Sequence, residues 1–269
     1  METKERQRLI ELLRKAIYEL TGNYYPDERM KILEYKLEKL IRDMPIGSNS
    51  AEGVISYFLK SPERKRMLID LMTVPETRFF REKEQLEVLF DSVLKGIQNL
   101  DIASIGCSTG QEPYTLAMMM RLRGIVGRIV GMDINEEVLQ KAREGIYKSS
   151  ELKDIPQEYR EFVEVKGDLM LIKPEIKRMV EFRQANLIEG SDFQPFRGRF
   201  SVVLCRNVLI YFDKDSKRRA LTNIRYIMRE KGILVLSATE LLGKEYQDLF
   251  EPFRSGRFLF FRKNKEGEG

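Results

Sequence analysis

Apolar residues recur at helical spacing through the first quarter of the chain. Leu9, Ile10, Leu13, Ile17 and Leu20 form one stripe, and Met30, Leu33, Leu37, Leu40 and Ile41 form a second. Gly22-Asn-Tyr-Tyr-Pro26 separates the two, and Pro45-Ile-Gly-Ser-Asn-Ser50 marks a second break. Ser61-Pro62-Glu63 predicts a further helix start, with Ser61 as N-cap and Pro62 in the first turn. From about Leu100 the pattern changes to short apolar runs alternating with amphipathic segments. The runs Ile102–Ile105, Arg128–Asp133, Val180–Gln184, Phe200–Cys205, Ile233–Ser237 and Phe258–Arg262 predict strands. Helices are predicted over Glu112–Arg121, Asn135–Arg143 and Lys214–Met228. This alternation implies an α/β fold with a mostly parallel sheet and helices on both faces. Between residues 156 and 182 a short helix precedes Phe162–Ile172, which alternates around Lys166-Gly167-Asp168 as a hairpin does. The expected organisation is a helical domain over residues 1–75, followed by an α/β domain over 76–269 that carries a small antiparallel insertion.

Composition narrows the chemistry. The 269 residues are 42% hydrophobic and 33% charged, enough for a sizeable core beneath a heavily charged surface. The net charge of +5 is spread over interleaved Lys and Glu and does not call for a nucleic-acid partner. No apolar run approaches the ~20 residues that span a bilayer, and Met-Glu-Thr-Lys-Glu-Arg at the start is no signal-peptide core. A cytoplasmic protein without membrane insertion is expected, and nothing requires more than a monomer. Histidine is absent, which excludes Ser-His-Asp and Cys-His nucleophiles and His-ligated metals. The two cysteines, Cys107 and Cys205, cannot make a zinc site and read as small buried residues.

The candidate site begins at Ile102-Ala-Ser-Ile-Gly-Cys-Ser-Thr-Gly110, a strand entering a small-residue turn, with Gln111-Glu112-Pro113-Tyr114 opening a helix. Gly106 and Gly110 permit a positive φ and close approach of a ligand to the backbone. Free amides at such a strand–helix turn are the usual seat of a nucleotide-like ligand. The dinucleotide order G-x-G-x-x-G is missing, and so is the G-x-x-x-x-G-K-[ST] phosphate loop. An acidic residue at the helix start suits a ligand with a positive end, as in S-adenosylmethionine, over a pyrophosphate. A nicotinamide dehydrogenase remains an alternative on the turn alone. Asp133 closes the next strand, where a carboxylate hydrogen-bonds ribose hydroxyls; the competing reading is a cap for the following helix.

Four motifs occur in order: Glu76-Thr-Arg-Phe-Phe-Arg81, Gly106-Cys-Ser-Thr-Gly-Gln-Glu-Pro-Tyr114, Asp133-Ile-Asn135 with Ala142-Arg-Glu-Gly-Ile-Tyr147, and Cys205-Arg-Asn-Val-Leu-Ile-Tyr-Phe-Asp213. Together they resemble the CheR family, S-adenosylmethionine-dependent methyltransferases that esterify glutamates of bacterial chemoreceptors. The resemblance runs from about Leu59 to Arg262. It implies a Rossmann-like class I methyltransferase sheet preceded by a helical domain. It also implies S-adenosyl-L-methionine as cofactor, and the cytoplasmic domain of a methyl-accepting chemotaxis receptor as protein substrate. At matching positions, Thr77 and Arg81 would reach the cofactor and the mouth of the active site, and Glu112 would meet the methionine end. Gly106 would lie against the cofactor, Asp133 would hold the ribose, and Asn186 and Leu187 would run along the adenine. Arg206 and Asn207 would line the cofactor, and Tyr211 would face the transferring methyl. Arg81 and Tyr211 are thus the catalytic candidates. Pro75 stands where family members carry an Asn. Lys166 on the hairpin is the nearest basic counterpart of a downstream family arginine, and a receptor-tail contact through the hairpin stays open.

Glutamate esterification suits a chain without histidine. A glutamate of pKa about 4.3 is already a carboxylate nucleophile at neutral pH. The enzyme's task is alignment and exclusion of water. Arg81 or Arg206 would orient the incoming carboxylate, without a tight buried pair that stabilises the ground state. Phe79, Phe80, Tyr114 and Tyr147 read as packing residues. Alternative readings are a methyltransferase for another carboxylate and a cofactor-binding regulatory module.

Overall fold

The computed structural model describes residues 3–42, 50–72, 76–97 and 99–264, with the side chains of residues 3, 39–42, 71 and 72 left aside. The break expected at residues 45–50 falls almost wholly outside these residues. Pro75 also lies outside them, as do the side chains of Leu40 and Ile41. The chain divides into two compact units, Met1–Val74 with Tyr211–Lys217, and Pro75–Ile210 with Arg218–Gly269.

The first unit contains α1 (Thr3–Thr21), α2 (Met30–Arg42), α3 (Ala51–Leu59) and α4 (Pro62–Met72). The predicted stripes are its core. Leu9, Leu13 and Ile17 of α1 and Leu33 and Leu37 of α2 are buried with Val54, Phe58 and Leu68. Ser50 and Ser61 use their hydroxyls to accept the amides of Gly53 (3.2 Å) and Arg64 (3.2 Å), capping α3 and α4. α1 ends at Gly22, whose φ of +74° lets the chain turn. Beyond it, the Tyr24 amide donates to the Tyr211 carbonyl at 2.8 Å, and the Tyr18 hydroxyl donates to Asp213 at 3.0 Å.

The second unit opens with α5 (Lys83–Val88), prolonged by a π turn over Leu89–Val93. There follow β1 (Asn99–Ile105), α6 (Gln111–Leu122), β2 (Val126–Asp133), α7 (Glu136–Glu144), β3 (Ile146–Lys148), β4 (Val163–Lys166), β5 (Leu169–Ile172), α8 (Pro174–Lys177), β6 (Val180–Gln184), α9 (Gly190–Phe193), β7 (Phe200–Leu204), α10 (Lys214–Ile227), β8 (Met228–Val235), β9 (Phe250–Ser255) and β10 (Phe258–Lys263). Seven strands form one sheet in the order β6-β2-β1-β7-β8-β10-β9. The first five are parallel; β10 runs antiparallel to β8, and β9, antiparallel to β10, returns to the direction of the first five. This is the Rossmann-like sheet expected, with helices on both faces. The strand order reverses between β1 and β7, and the crevice outside the carboxyl ends of these strands is where such sheets hold ligands.

The antiparallel insertion is larger than a hairpin. β4 and β5 pair across Gly167-Asp168 as the alternation predicts, and β3 adds a third strand against β5. β8 begins at Met228, five residues ahead of the predicted strand. After the buried Met228 it reads Arg229-Glu230-Lys231-Gly232, which carries no apolar signal. β9 is a strand that the apolar pattern did not announce.

Candidate active site

The turn after β1 is held by backbone. The amides of Gly106 and Cys107 both donate to the Met132 carbonyl, at 2.7 and 3.0 Å. Gly106 has φ +69°, and a Cβ there would stand 2.3 Å from Val208 Cγ2, so any side chain strains the turn. Ser108 also has positive φ, +50°. Its amide donates to Asp133 Oδ2 at 2.8 Å, and Asn135 donates to Oδ1 at 3.0 Å. Asn135 in turn caps α7 by accepting from the Val138 amide at 3.1 Å. Helix capping therefore falls to Asn135, and Asp133 is fixed at the end of β2 with its carboxylate turned to the glycine turn. Burial pushes the Asp133 carboxyl above its ordinary value, and the amides of Asn135, Ser108 and Ile134 pull it back. The Ser108 hydroxyl is buried and has no partner among the described residues.

Two tyrosines support this turn from outside. Tyr114 on α6 donates its hydroxyl to the Ala142 carbonyl at 2.7 Å, and Tyr147 on β3 donates to Thr109 at 2.7 Å. Burial pushes both phenols up, and both hydroxyls are committed to backbone carbonyls. Phe79 packs edge-on against Tyr147, with ring centroids 4.9 Å apart, and Phe80 lies 4.6 Å from Tyr159. Cys107 and Cys205 are fully buried, and desolvation pushes both thiols well above their ordinary value.

A second cluster centres on Arg206, just past β7, whose side chain is 2% exposed. Its Nε donates to Glu112 Oε2 at 2.7 Å, and one terminal nitrogen donates to the Arg81 carbonyl at 2.7 Å. The other faces Gln85 Oε1 at 3.4 Å and Glu82 at 3.8 Å. Glu112 also accepts from the Ser104 hydroxyl at 2.8 Å. A cation removed this far from water must be paired. The guanidinium is committed to partners within the protein. Arg81 differs: it is half-buried, and its guanidinium makes a long contact to the Glu76 carbonyl, 3.4 Å.

Thr77, Arg81, Gly106, Glu112, Arg206 and Asn207 line one cleft. Asp133 does not line it; it is tied through the Ser108 amide to the same turn that carries Gly106. Asn186 and Leu187 follow β6, which pairs with β2 up to Asp133↔Gln184, so they share its edge of the sheet. There Asn186 Oδ1 accepts the Ile188 amide at 3.3 Å, and the Leu187 carbonyl accepts from Asn223 at 2.9 Å. Tyr211 falls in the first compact unit, at the end of the turn Leu209–Tyr211. Lys166 lies exposed on β4, paired with Glu164 at 3.1 Å. Ser104, Gln85 and Thr115 were missed in the sequence. Thr115 accepts the Phe80 amide at 3.0 Å, and Gln85 donates to the Leu236 carbonyl at 2.9 Å. Their signal is weak: single polar residues on otherwise buried faces.

Residues 75–258 match the family model described as "CheR methyltransferase, SAM binding domain". Chemotaxis protein methyltransferase 2 of Vibrio cholerae is 31% identical, over 86% of this chain and 84% of that protein. Chemotaxis protein methyltransferase 1 of Pseudomonas aeruginosa is 32% identical, over 87% of this chain and 90% of that one. The chemotaxis protein methyltransferase of Salmonella typhimurium is 30% identical, over 84% and 81%. The chain belongs to the CheR family of methyltransferases.

Proposed function

We propose that this protein transfers a methyl group from S-adenosylmethionine to glutamate side chains on the cytoplasmic domain of chemotaxis receptors, forming methyl esters. The observation that carries this reading is the single cleft that gathers Thr77, Arg81, Gly106, Glu112, Arg206 and Asn207 at the switch point of the sheet. No helix among the described residues is long and apolar enough to cross a membrane. A cytoplasmic enzyme acting on the inner portion of a receptor is consistent with that.

The residues present suit the cofactor. Gly106 lines the cleft in a left-handed turn packed on Val208, and Glu112 offers a carboxylate to a positive end. Asp133 is a carboxylate fixed by two amides, with the unpartnered Ser108 hydroxyl beside it. In this reading Glu112 holds the ammonium end, Asp133 the ribose, and Asn186 and Leu187 the adenine. S-adenosylmethionine, when bound, supplies a methyl group on a sulfonium, an electrophile that an ionised carboxylate attacks directly.

The chain's own contribution is orientation. A substrate glutamate arrives deprotonated at neutral pH, so no residue need remove a proton. Arg81, with most of its donors uncommitted by the contacts above, orients that carboxylate by charge-assisted hydrogen bonds. Arg206 holds the wall of the cleft by tying Glu112 to the Arg81 carbonyl. The role of Tyr211 at the methyl rests on the family resemblance.

The test uses S-adenosylmethionine labelled in the methyl group, together with receptor signalling domains. A carboxyl methyl ester is base-labile, so alkali is expected to release label as volatile methanol only when protein and receptor are both present. Cofactor binding without such release would overturn the acceptor.

A further inference from the structure

Asn207 lines the cleft with φ +61°, in the left-handed region. An L-residue there costs about 1–2 kcal/mol, though asparagine tolerates it better than most. Something must hold the turn. The holder is Glu240, in the loop after β8 and only 7% exposed. Its Oε2 accepts the Asn207 amide at 2.7 Å and the Ser237 amide at 3.1 Å. Oε1 is buried and lacks a hydrogen-bond partner among the described residues. Burial pushes this carboxyl up, while the amide dipoles of Asn207, Ser237, Ile210 and Leu209 favour its charged form.

Ser237 extends the brace. Its hydroxyl donates to Glu82 Oε1 at 2.9 Å, and the Ala238 amide donates to Glu82 Oε2 at 3.1 Å. Glu82 itself has φ +53° and follows Arg81, whose carbonyl is held by Arg206. The loop after β8 therefore ties both walls of the cleft, the Arg81 segment through Glu82 and the Arg206-Asn207 turn through Glu240. Neither carboxylate lines the cleft.

We infer that Glu240 is a positioning residue: it collects the amides of Asn207 and Ser237 and so holds the Arg206-Asn207 turn in the shape that the cofactor meets. This rests on the reading of the cleft as the S-adenosylmethionine site. Glu240→Ala removes the acceptor. Glu240→Gln keeps one oxygen for both amides but sets an NH2 group where Oε1 stood.

The experiment is calorimetric titration of wild type, E240A and E240Q with S-adenosylhomocysteine, alongside each thermal midpoint. At a temperature where each is folded by circular dichroism, Kd is expected to weaken about tenfold in E240A, the scale of one charge-assisted hydrogen bond, with E240Q in between. A merely structural carboxylate would lower the midpoint and leave Kd within about twofold, which overturns the inference. Should E240A not fold, E240Q decides alone: a loss beyond about twofold supports the role, and a smaller one overturns it. Wild-type protein that does not bind S-adenosylhomocysteine would remove the reading of the cleft, and the inference with it.

Discussion

Arg206 and Glu112 meet across 94 residues of sequence, Nε to Oε2 at 2.7 Å, with side chains 2% and 13% exposed. A pair so far from water costs heavily if only one member is deleted, because the survivor keeps its charge without a partner. Arg206→Ala is expected to lower unfolding free energy by ~3 kcal/mol or more. Urea denaturation of the isolated protein checks this. A loss below about 1 kcal/mol would mean that the pair is hydrated in solution.

Arg81 should behave in the opposite way. Among the described residues its guanidinium makes only the long contact to Glu76 described above, so Arg81→Ala should change stability by less than about 0.5 kcal/mol. Methylation of receptor should fall, with the loss appearing at low receptor concentration as a raised KM. Equal effects of the two arginine substitutions on stability would contradict the separation of roles.

The glycine turn gives a steric prediction. Gly106→Ala adds a Cβ 2.3 Å from Val208 Cγ2 at φ +69°. The combined overlap and backbone strain should cost about 2 kcal/mol or more. In a Val208→Ala background the overlap is relieved, and the added cost should fall to the backbone part, about 1 kcal/mol. Paired denaturation curves give both figures.

Asp133 predicts a pH dependence of stability. Burial raises its folded pKa above the unfolded value, so the native state binds more protons in the interval between the two. The favourable contribution is complete below the unfolded pKa and is lost as pH rises through the folded one. Asp133→Asn does not titrate. Stability of the variant relative to wild type should therefore increase from pH 4 to pH 7, while affinity for S-adenosylhomocysteine falls. A relative stability that declines over that range would reverse the sign of the shift.

Tyr211→Phe should reduce the methylation rate at saturating cofactor more than it weakens S-adenosylmethionine binding. Collapsed affinity with an intact saturated rate would remove Tyr211 from the methyl.

The central strands were legible because burial on both faces writes a near-continuous apolar run, as in Ile129–Met132 and Val202–Leu204, while the edge strand β6 announced itself by alternation, Val180-Glu-Phe-Arg-Gln184. β9 was not. It carries Pro252, which argues against a strand, yet edge strands tolerate proline because one side has no ladder to supply. The first half of β8 is charged, and no periodicity separates such a stretch from a loop. In the site, glycines and strand-end carboxylates announce themselves by position. Pairing does not: nothing local to Arg206 says that its guanidinium is taken by Glu112, or that Glu240 collects the Asn207 amide. Those links join loops at the ends of different strands, and only the folded sheet brings them together.

Both thiols of this chain are enclosed and held in the protonated form at neutral pH. The native protein is thus a ready background for site-directed labelling. One cysteine introduced at an exposed position, such as Tyr35 on α2 or Leu241 beyond β8, would be the sole thiol open to a maleimide probe. Fluorescence or spin-label distances could then follow motions of this protein without first removing any residue from the glycine turn or the end of β7.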